Sequence, residues 1–381
     1  MAVTWADRGS SRLRSTDFSD VVLDCRWLGR GGVGMTTELT LRAFGELAAR
    51  GELPVHVALR GDPEVLRSRA WPGASTETDS TDPHAFLGQS GWRGPDRRVE
   101  LAFHQLRPLT GGPRLQWLHD TIPIHFARNA VDRRLRVAYL RRIVRTSSEL
   151  LVDSRHTARC VVDELGADPE RLTIITFPVD TELARIVQAR RSVLAPAERL
   201  LFIGRFAQHK NVERLIRAFA RTDFGARGGE LHLVGGSDEE VQRFRTRCRQ
   251  LPHRITIEGS VPRARIVDLL ASSAGLIQPS LEEGFGLPVW EARTVGLPVV
   301  AANAGSLPEL MTDPDNLFDP FDLDAIATAI DMLMNRTERS PNEPPPEGPD
   351  LVEFGRTVLR TLQRAMSNPG SGGSTASTSH R

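Results

Sequence analysis

Two short segments hold the side chains best suited to chemistry. Gly204-Arg205-Phe206-Ala207-Gln208-His209-Lys210-Asn211 places two cations close together, and Lys210 is the only lysine in the chain. Arginine presents a planar fork and lysine a compact point charge, so the pair suits the two phosphates of a diphosphate. The plainer alternative is a loop whose cations are solvated. Glu282-Glu283-Gly284-Phe285-Gly286-Leu287-Pro288-Val289-Trp290-Glu291 sets Glu283 and Glu291 on either side of a glycine turn and a proline. Gly284 and Gly286 let the backbone come close to a ligand. Pro288 suits the first turn of a helix, and the free N–H groups of that turn favour an anion. Taken singly, Glu291 would only complement a helix dipole and Glu283 would sit in solvent; the whole set is far more specific than either acid.

A third segment, Gly29-Arg30-Gly31-Gly32-Val33-Gly34, has the spacing G-x-G-x-x-G. It reads as a dinucleotide fingerprint, as a tight turn that needs glycine, or as a loop offering N–H groups to an anionic or hydroxylated ligand. The fingerprint wants an acid at the end of the second strand, and Asp62 comes late for that role.

These segments need strands and helices to position them. Apolar runs at 200–204, 231–234, 255–258, 275–278, 298–301 and 317–318 read as strands alternating with helical patterns. Asn211 is placed to cap a helix bearing Val212, Leu215, Ile216, Phe219 and Ala220 on one face. Ser237 and Glu240 form a capping box before Val241, Phe244 and Cys248. Further helices are expected at 263–271, from Pro288, and at 323–335. The first half repeats the scheme less regularly, with strands at 20–28, 55–59, 98–103, 115–119, 150–153 and 172–177 and a helix at 36–50. Residues 72–97 read as a long loop. The expectation is an α/β protein of two Rossmann-like, doubly wound domains facing a cleft. The divisions are 1–180, a linker at 181–199, a second domain at 200–339, a proline-rich linker at 340–350, a helix at 351–366 and a low-complexity tail at 367–381.

The pairing of GRFAQHKN with EEGFGLPVWEA resembles the retaining GT-B glycosyltransferases of the family-four class, the glycosyl transferases group 1. GRGGVGMTTELTLRAF resembles that family's glycine loop, WLHDTIP its His-Asp segment, and LLVDSRHTARCVVDELGADPERLTIITFPVD the close of its first domain. One departure is visible: many relatives carry Asn-Gly where Phe177-Pro178 precede Val179-Asp180 here. The resemblance implies a nucleotide-sugar donor bound mainly to the second domain and an acceptor (glycan, lipid or small molecule) bound mainly to the first. It implies that Arg205 and Lys210 neutralise the donor diphosphate, that Glu283 bonds the sugar hydroxyls and that Glu291 bonds the ribose. Gly286, Leu287 and Pro288 would bring backbone against the donor. Gly31 and Gly32 would lie across the cleft beside the phosphates, His119 would point at the sugar, and Gly259-Ser260 would border the base. Terminal helices in that family cross back onto the first domain, as expected here for 351–366. The nucleotide sugar is a co-substrate, so no cofactor is expected. GDP-mannose, UDP-glucose and UDP-N-acetylglucosamine are all open as donors, with a place in cell-envelope or polysaccharide synthesis. A nicotinamide-dependent oxidoreductase and a catalytically silent nucleotide-sugar-binding subunit are the rival readings.

Composition bounds the rest. The chain has 381 residues, 40% hydrophobic and 25% charged, enough for two cores. Its 49 basic and 48 acidic residues leave a net charge of +1, which argues against a nucleic-acid binder. Cys25, Cys160 and Cys248 form no C-x-x-C, no apolar run reaches the ~18–20 residues of a membrane span, and the first residues lack the apolar centre of a signal peptide. A cytoplasmic enzyme is expected. Asp313-Pro314-Asp315 and Asp322-Leu323-Asp324 have D-x-D spacing common at helix starts, and with Arg205 and Lys210 supplying positive charge no metal is expected. From Val131 to Glu149 a helical pattern carries Arg133, Arg134, Arg136, Arg141, Arg142 and Arg145 opposite Leu135, Tyr139, Leu140, Ile143 and Val144. It reads either as the solvated face of a core-packed helix or as a surface for an anionic membrane.

Overall fold

The computed structural model describes residues 21–28, 31–67, 69–78, 98–104, 112–195, 197–249, 251, 253–336 and 341–367. Gly29, Arg30, most of the 72–97 segment and the tail beyond Ser367 lie outside the described residues. Seven strands build the first sheet: β1 (Val21–Asp24), β2 (Val57–Gly61), β3 (Ser75–Thr78), β4 (Val99–Ala102), β5 (Arg114–Leu118), β6 (Glu149–Val152) and β7 (Leu172–Ile174). Their order is β3-β2-β1-β4-β5-β6-β7, and β1 pairs in parallel with both β2 and β4. Six strands build the second: β8 (Arg199–Ile203), β9 (Glu230–Val234), β10 (Arg254–Glu258), β11 (Gly275–Gln278), β12 (Val299–Ala302) and β13 (Leu317–Phe318). Their order is β10-β9-β8-β11-β12-β13, parallel throughout. Two parallel sheets with flanking helices make this an α/β fold.

The chain divides into two compact units, 1–117 with 145–150 and 355–381, and 118–144 with 151–354. In the first unit Val21, Val22, Leu23, Val57, Leu59 and Leu101 are buried, together with Leu41, Phe44 and Leu47 of the helix Gly31–Ala49. The terminal helix Leu351–Ser367 comes close to that helix at Gly355, where an added Cβ would lie 2.9 Å from Ala43 Cβ. Arg356 donates to Glu52 at 2.8 Å and Arg364 pairs with Glu149 at 3.1 Å. In the second unit Leu200, Leu201, Phe202, Leu231, Leu233, Leu276 and Ile277 fill the sheet's core. Val212, Leu215, Ile216 and Phe219 of the helix Val212–Phe219 are also buried, as helical spacing predicts.

Several local readings change. The helix expected from residue 36 begins at Gly31, because glycines 31, 32 and 34 form its first turn rather than a free loop. Residues 75–78, expected as loop, extend the first sheet as β3 beside β2. The basic helix runs Ala130–Thr146, and Glu149 belongs instead to β6. The 181–199 segment is largely the helix Thr181–Arg191, capped by the Asp180 side chain. The Ser237/Glu240 capping box forms with both of its bonds. Asn211 precedes its helix in a left-handed conformation (φ 59°) and makes no side-chain cap. Its amide donates instead to the carbonyls of Pro279 at 3.1 Å and Pro320 at 2.8 Å, tying two later loops to this one.

Candidate active site

In an open α/β sheet, ligands bind beyond the carboxyl ends of the strands where the strand order reverses. In the second sheet the chain runs outward from β8 through β9 to β10, then returns to the other side of β8 with β11. The switch point is therefore flanked by the loops after β8 and β11, which carry Arg205-to-Lys210 and Glu282-to-Gly286. Here Lys210 Nζ donates to Glu283 Oε1 at 2.6 Å. The same oxygen accepts from Gln278 Nε2 at 2.9 Å and from Ser280 Oγ at 2.7 Å. Gln278 and Ser280 are fully buried and Glu283 nearly so. Three donors thus fix one carboxylate oxygen, while Oε2 takes no hydrogen bond among the described residues. Such a carboxylate is held in place and still has an oxygen to offer a hydroxyl group. Arg205 is exposed and has no ion-pair partner among the described residues.

The two loops are also joined through the main chain, where Leu281 N donates to the carbonyl of His209 at 2.7 Å. Burial, with Lys210 next to it, pulls the His209 imidazole down to about 4, so it is neutral near pH 7. Gly286 has φ 105°, a backbone that side chains rarely adopt, and an added Cβ would lie 2.8 Å from Leu307. It caps the helix Leu287–Thr294, with Pro288 in the first turn. Phe177 packs on Phe285 with ring centroids 4.5 Å apart, and Trp290 Nε1 donates to the Pro178 carbonyl at 3.1 Å. The Phe177-Pro178 departure noted in the sequence therefore braces the glycine turn.

Glu291 sits elsewhere in its hydrogen bonding. Its Oε1 pairs with Arg263 Nη1 at 2.7 Å. Burial raises its pKa, opposed by Arg263. Arg263 opens the helix Arg263–Ser272, shortly after Gly259 and Ser260 at the end of β10. The Gly259 carbonyl accepts from Gly235 N at 3.2 Å, and Ser260 is exposed.

His119 follows β5, and its Nδ1 is 2.8 Å from Asp153 Oδ2, a contact that fixes the ring's orientation. Gly284 meets protein backbone where the sequence suggested a ligand: an added Cβ would stand 1.9 Å from the His119 carbonyl oxygen. Thr157 Oγ1 lies 3.3 Å from that oxygen and 3.2 Å from the Gly284 carbonyl, so its hydroxyl serves both. Burial lifts the neighbouring Asp120 to about 6, and the backbone N–H of Ile122 donates to it at 3.1 Å. Glu309 accepts from the backbone N–H of Arg155 at 3.0 Å and of His156 at 2.7 Å, closing the start of the helix Arg155–Leu165. Gly31 and Gly32 are exposed at the start of their helix in the other unit, Gly31 with φ 58°.

The structure therefore gathers Lys210, Glu283, Gly286, Leu287 and Pro288 around one sheet edge and holds His119 against the same glycine turn. Glu291, Gly259 and Ser260 belong to the β10 side. Sequence reasoning missed Gln278 and Ser280, although two polar residues ending an apolar strand were a readable signal. It also missed Arg263, Asp153 and Thr157, which have none. The D-x-D acids are spent locally, since Asp313 accepts from Asp315 N at 3.0 Å and Asp322 from Asp324 N at 2.8 Å. Asp324 in turn pairs with Arg221 at 2.7 Å. Among the described residues no three His, Cys, Asp or Glu side chains form a set that could hold a metal.

Two parallel α/β sheets with flanking helices, arranged in this way, make the GT-B fold. The structure of Anabaena HepE in complex with UDP and glucose is similar over 91% of this chain and 99% of its own, with a TM-score of 0.67 and 20% identity. Residues 189–343 match the family of glycosyl transferases group 1. The chain is 30% identical over 210 residues to the D-inositol 3-phosphate glycosyltransferase of Acidothermus cellulolyticus, covering 51% of this chain and 47% of that one. It is 36% identical over 139 residues to the O-antigen chain mannosyltransferase B of Escherichia coli, covering 34% and 35%. The chain thus spans about half the length, or less, of these relatives.

Proposed function

We propose that this chain transfers a sugar from a nucleoside diphosphate sugar to an acceptor hydroxyl, with retention at the anomeric carbon and without a metal. The Lys210–Glu283 pair at the switch point carries this reading, because it puts a fixed cation and a fixed carboxylate with an open oxygen side by side. Lys210 and Arg205 would bear the charge that develops on the departing diphosphate, a role often filled elsewhere by a divalent ion. Glu283 Oε2 would orient a hydroxyl of the donor sugar. The acceptor oxygen bonds to the anomeric carbon as the bond from that carbon to the phosphate oxygen breaks, and the leaving diphosphate takes the acceptor proton. Attack on the face the diphosphate leaves needs no carboxylate nucleophile beneath the sugar, unlike double displacement.

GDP-mannose and UDP-hexoses are the donors to test first, since one relative is named a mannosyltransferase and one neighbour holds UDP and glucose. The oxidoreductase reading loses its ribose acid, because Asp62 accepts from Glu64 N at 2.8 Å as a local helix cap. The rival of a silent binding subunit is opposed by the complete charged set.

A thermal-shift panel of GDP-mannose, UDP-glucose and UDP-N-acetylglucosamine tests the donor assignment. A donor at 100 times its Kd adds about 2.7 kcal/mol of stability. At least one member should raise the melting temperature by several degrees, and NADH should not. A shift with NADH alone would reverse the assignment.

We place the enzyme in the cytoplasm, with the helix Ala130–Thr146 as a surface for anionic membrane. Val131 and Leu135 are 65% and 66% exposed, and Arg134 and Arg145 are exposed beside them. Other arginines of this helix are engaged within the protein: Arg136 with Asp132 at 2.8 Å and Arg141 with the Glu164 carbonyl at 3.0 Å. No helix among the described residues is long and apolar enough to cross a membrane. Co-sedimentation with anionic but not neutral vesicles, lost in Val131→Ser/Leu135→Ser, is the expected result.

A further inference from the structure

Beside the glycine turn lies a charged cluster that the proposed reaction does not use. His125, at the end of the short helix Ile122–His125, stands between two carboxylates. Its Nδ1 is 2.7 Å from both oxygens of Glu282, and its Nε2 is 2.5 Å from Glu164 Oε1. A neutral imidazole has one N–H, whereas two ionised carboxylates can only accept. Both ring nitrogens must therefore carry protons. Glu282 is buried, 6% exposed, and precedes Glu283 directly. A buried carboxylate left without a partner is costly and would draw its loop toward water. We infer that His125 is a positioning residue: an imidazolium spanning Glu164 and Glu282 that fixes the loop bearing Glu283.

The surroundings agree. The hydrogen bond to Glu282, aided by Glu164 and opposed by burial, raises His125 to about 9. On the helix Ala130–Thr146, Arg133 lies 3.7 Å from Glu164 Oε2, and Arg141 donates to the Glu164 carbonyl. On the helix Arg155–Leu165 the other ionisable groups around this cluster are His156, Arg159 and Cys160; Asp120, His209, Lys210 and Glu309 also face it. Burial lowers His156 and raises Asp120, so neither competes as the proton carrier at neutral pH. The folded-state pKa lies above the ordinary value of 6.5. The clamp is thus fully formed below that value and is lost as pH rises through about 9.

This inference rests on the proposed glycosyl transfer only for its activity readout. The direct test is nitrogen-detected NMR of the imidazoles in the full-length chain. At pH 7 one histidine, missing from the spectrum of His125→Asn, should show both nitrogens protonated and titrate near pH 9. In Glu282→Gln the same signal should titrate at lower pH. A single protonated nitrogen on His125 at pH 7 overturns the inference whatever the enzyme's activity, and does so even if His125→Asn fails to fold, since Glu282→Gln identifies the resonance. With GDP-mannose or UDP-glucose as donor, kcat should fall through about pH 9. His125→Asn should lower kcat about tenfold to a hundredfold at pH 7, the cost of a small misplacement of reacting groups. His125→Arg, which keeps a cation facing both acids, should restore part of that kcat and move the alkaline fall to higher pH. An alkaline limb unchanged in His125→Arg contradicts the positioning role.

Discussion

Gly284→Ala tests the arrangement of the glycine turn with a single methyl group. The added Cβ would stand 1.9 Å from the His119 carbonyl oxygen and 3.1 Å from Asp120 Cβ. Carbon atoms do not approach carbonyl oxygens closer than 3.0 Å, so the two backbones must separate by about 1 Å. Neither side is a flexible side-chain end that can swing away. Glu283 precedes the substituted residue, and the hydroxyl of Thr157 spans Gly284 and His119, so the displacement falls on the loop bearing Glu283 and on the segment bearing His119. A misplacement of about 1 Å in a catalytic constellation costs on the order of 10²-fold in rate. We therefore expect kcat of nucleoside diphosphate release to drop about a hundredfold. Gly45→Ala is the control: its Cβ meets nothing nearer than Trp71 at 3.8 Å, and it lies within a helix. It should keep full activity and gain roughly 0.5–1 kcal/mol of stability. Wild-type kcat and melting temperature in Gly284→Ala would refute the reasoning.

Lys210→Ala should cost about 10²–10³ in kcat, the range found when one stabiliser of developing charge is removed. Lys210→Arg should also lose most activity, because a planar fork cannot reproduce a point charge held at 2.6 Å from Glu283 Oε1; circular dichroism checks that both variants fold. Turnover should survive excess EDTA, and loss restored by magnesium or manganese would show that a metal takes part. Deleting residues 352–381 removes Val358, Leu359, Leu362 and Ala365, all buried, and uncovers Ala43 and Leu47 where Gly355 now lies. At roughly 1.5–3 kcal/mol for each large apolar side chain, the melting temperature should fall sharply, or the chain should fail to accumulate. Deleting only 368–381 should leave it unchanged.

What could be read in the sequence was whatever depends on near neighbours along the chain. Strand β11 was placed to the residue, and the Ser237/Glu240 capping box formed, because alternation and capping act over a few positions. Lys210, Glu283, Gly286 and Pro288 were legible for the same reason, each lying in a short segment directly after a strand. Asn211 shows where that reach ends: its type and place suggested a cap, yet its partners are the carbonyls of Pro279 and Pro320. Gly284 was read as a place where backbone nears a ligand, whereas it lies against the backbone of His119, which nothing local foretells. His125 and Glu282 are 157 residues apart, and no spacing rule links them. The strand Ser75–Thr78 was hidden because its residues are polar and it pairs only with β2, at the edge of the sheet.

The central claim is that the switch-point pair serves a nucleotide-sugar donor. It is tested most directly by incubating the full-length protein with GDP-mannose, UDP-glucose and UDP-N-acetylglucosamine, in the presence of a mixed acceptor extract. Nucleoside diphosphate release and the anomeric configuration of the new glycoside are then followed. The account predicts turnover of at least one donor, retention in the product, and loss of turnover in Glu283→Ala with the fold intact. Equal turnover in Glu283→Ala, or an inverted product, would contradict it.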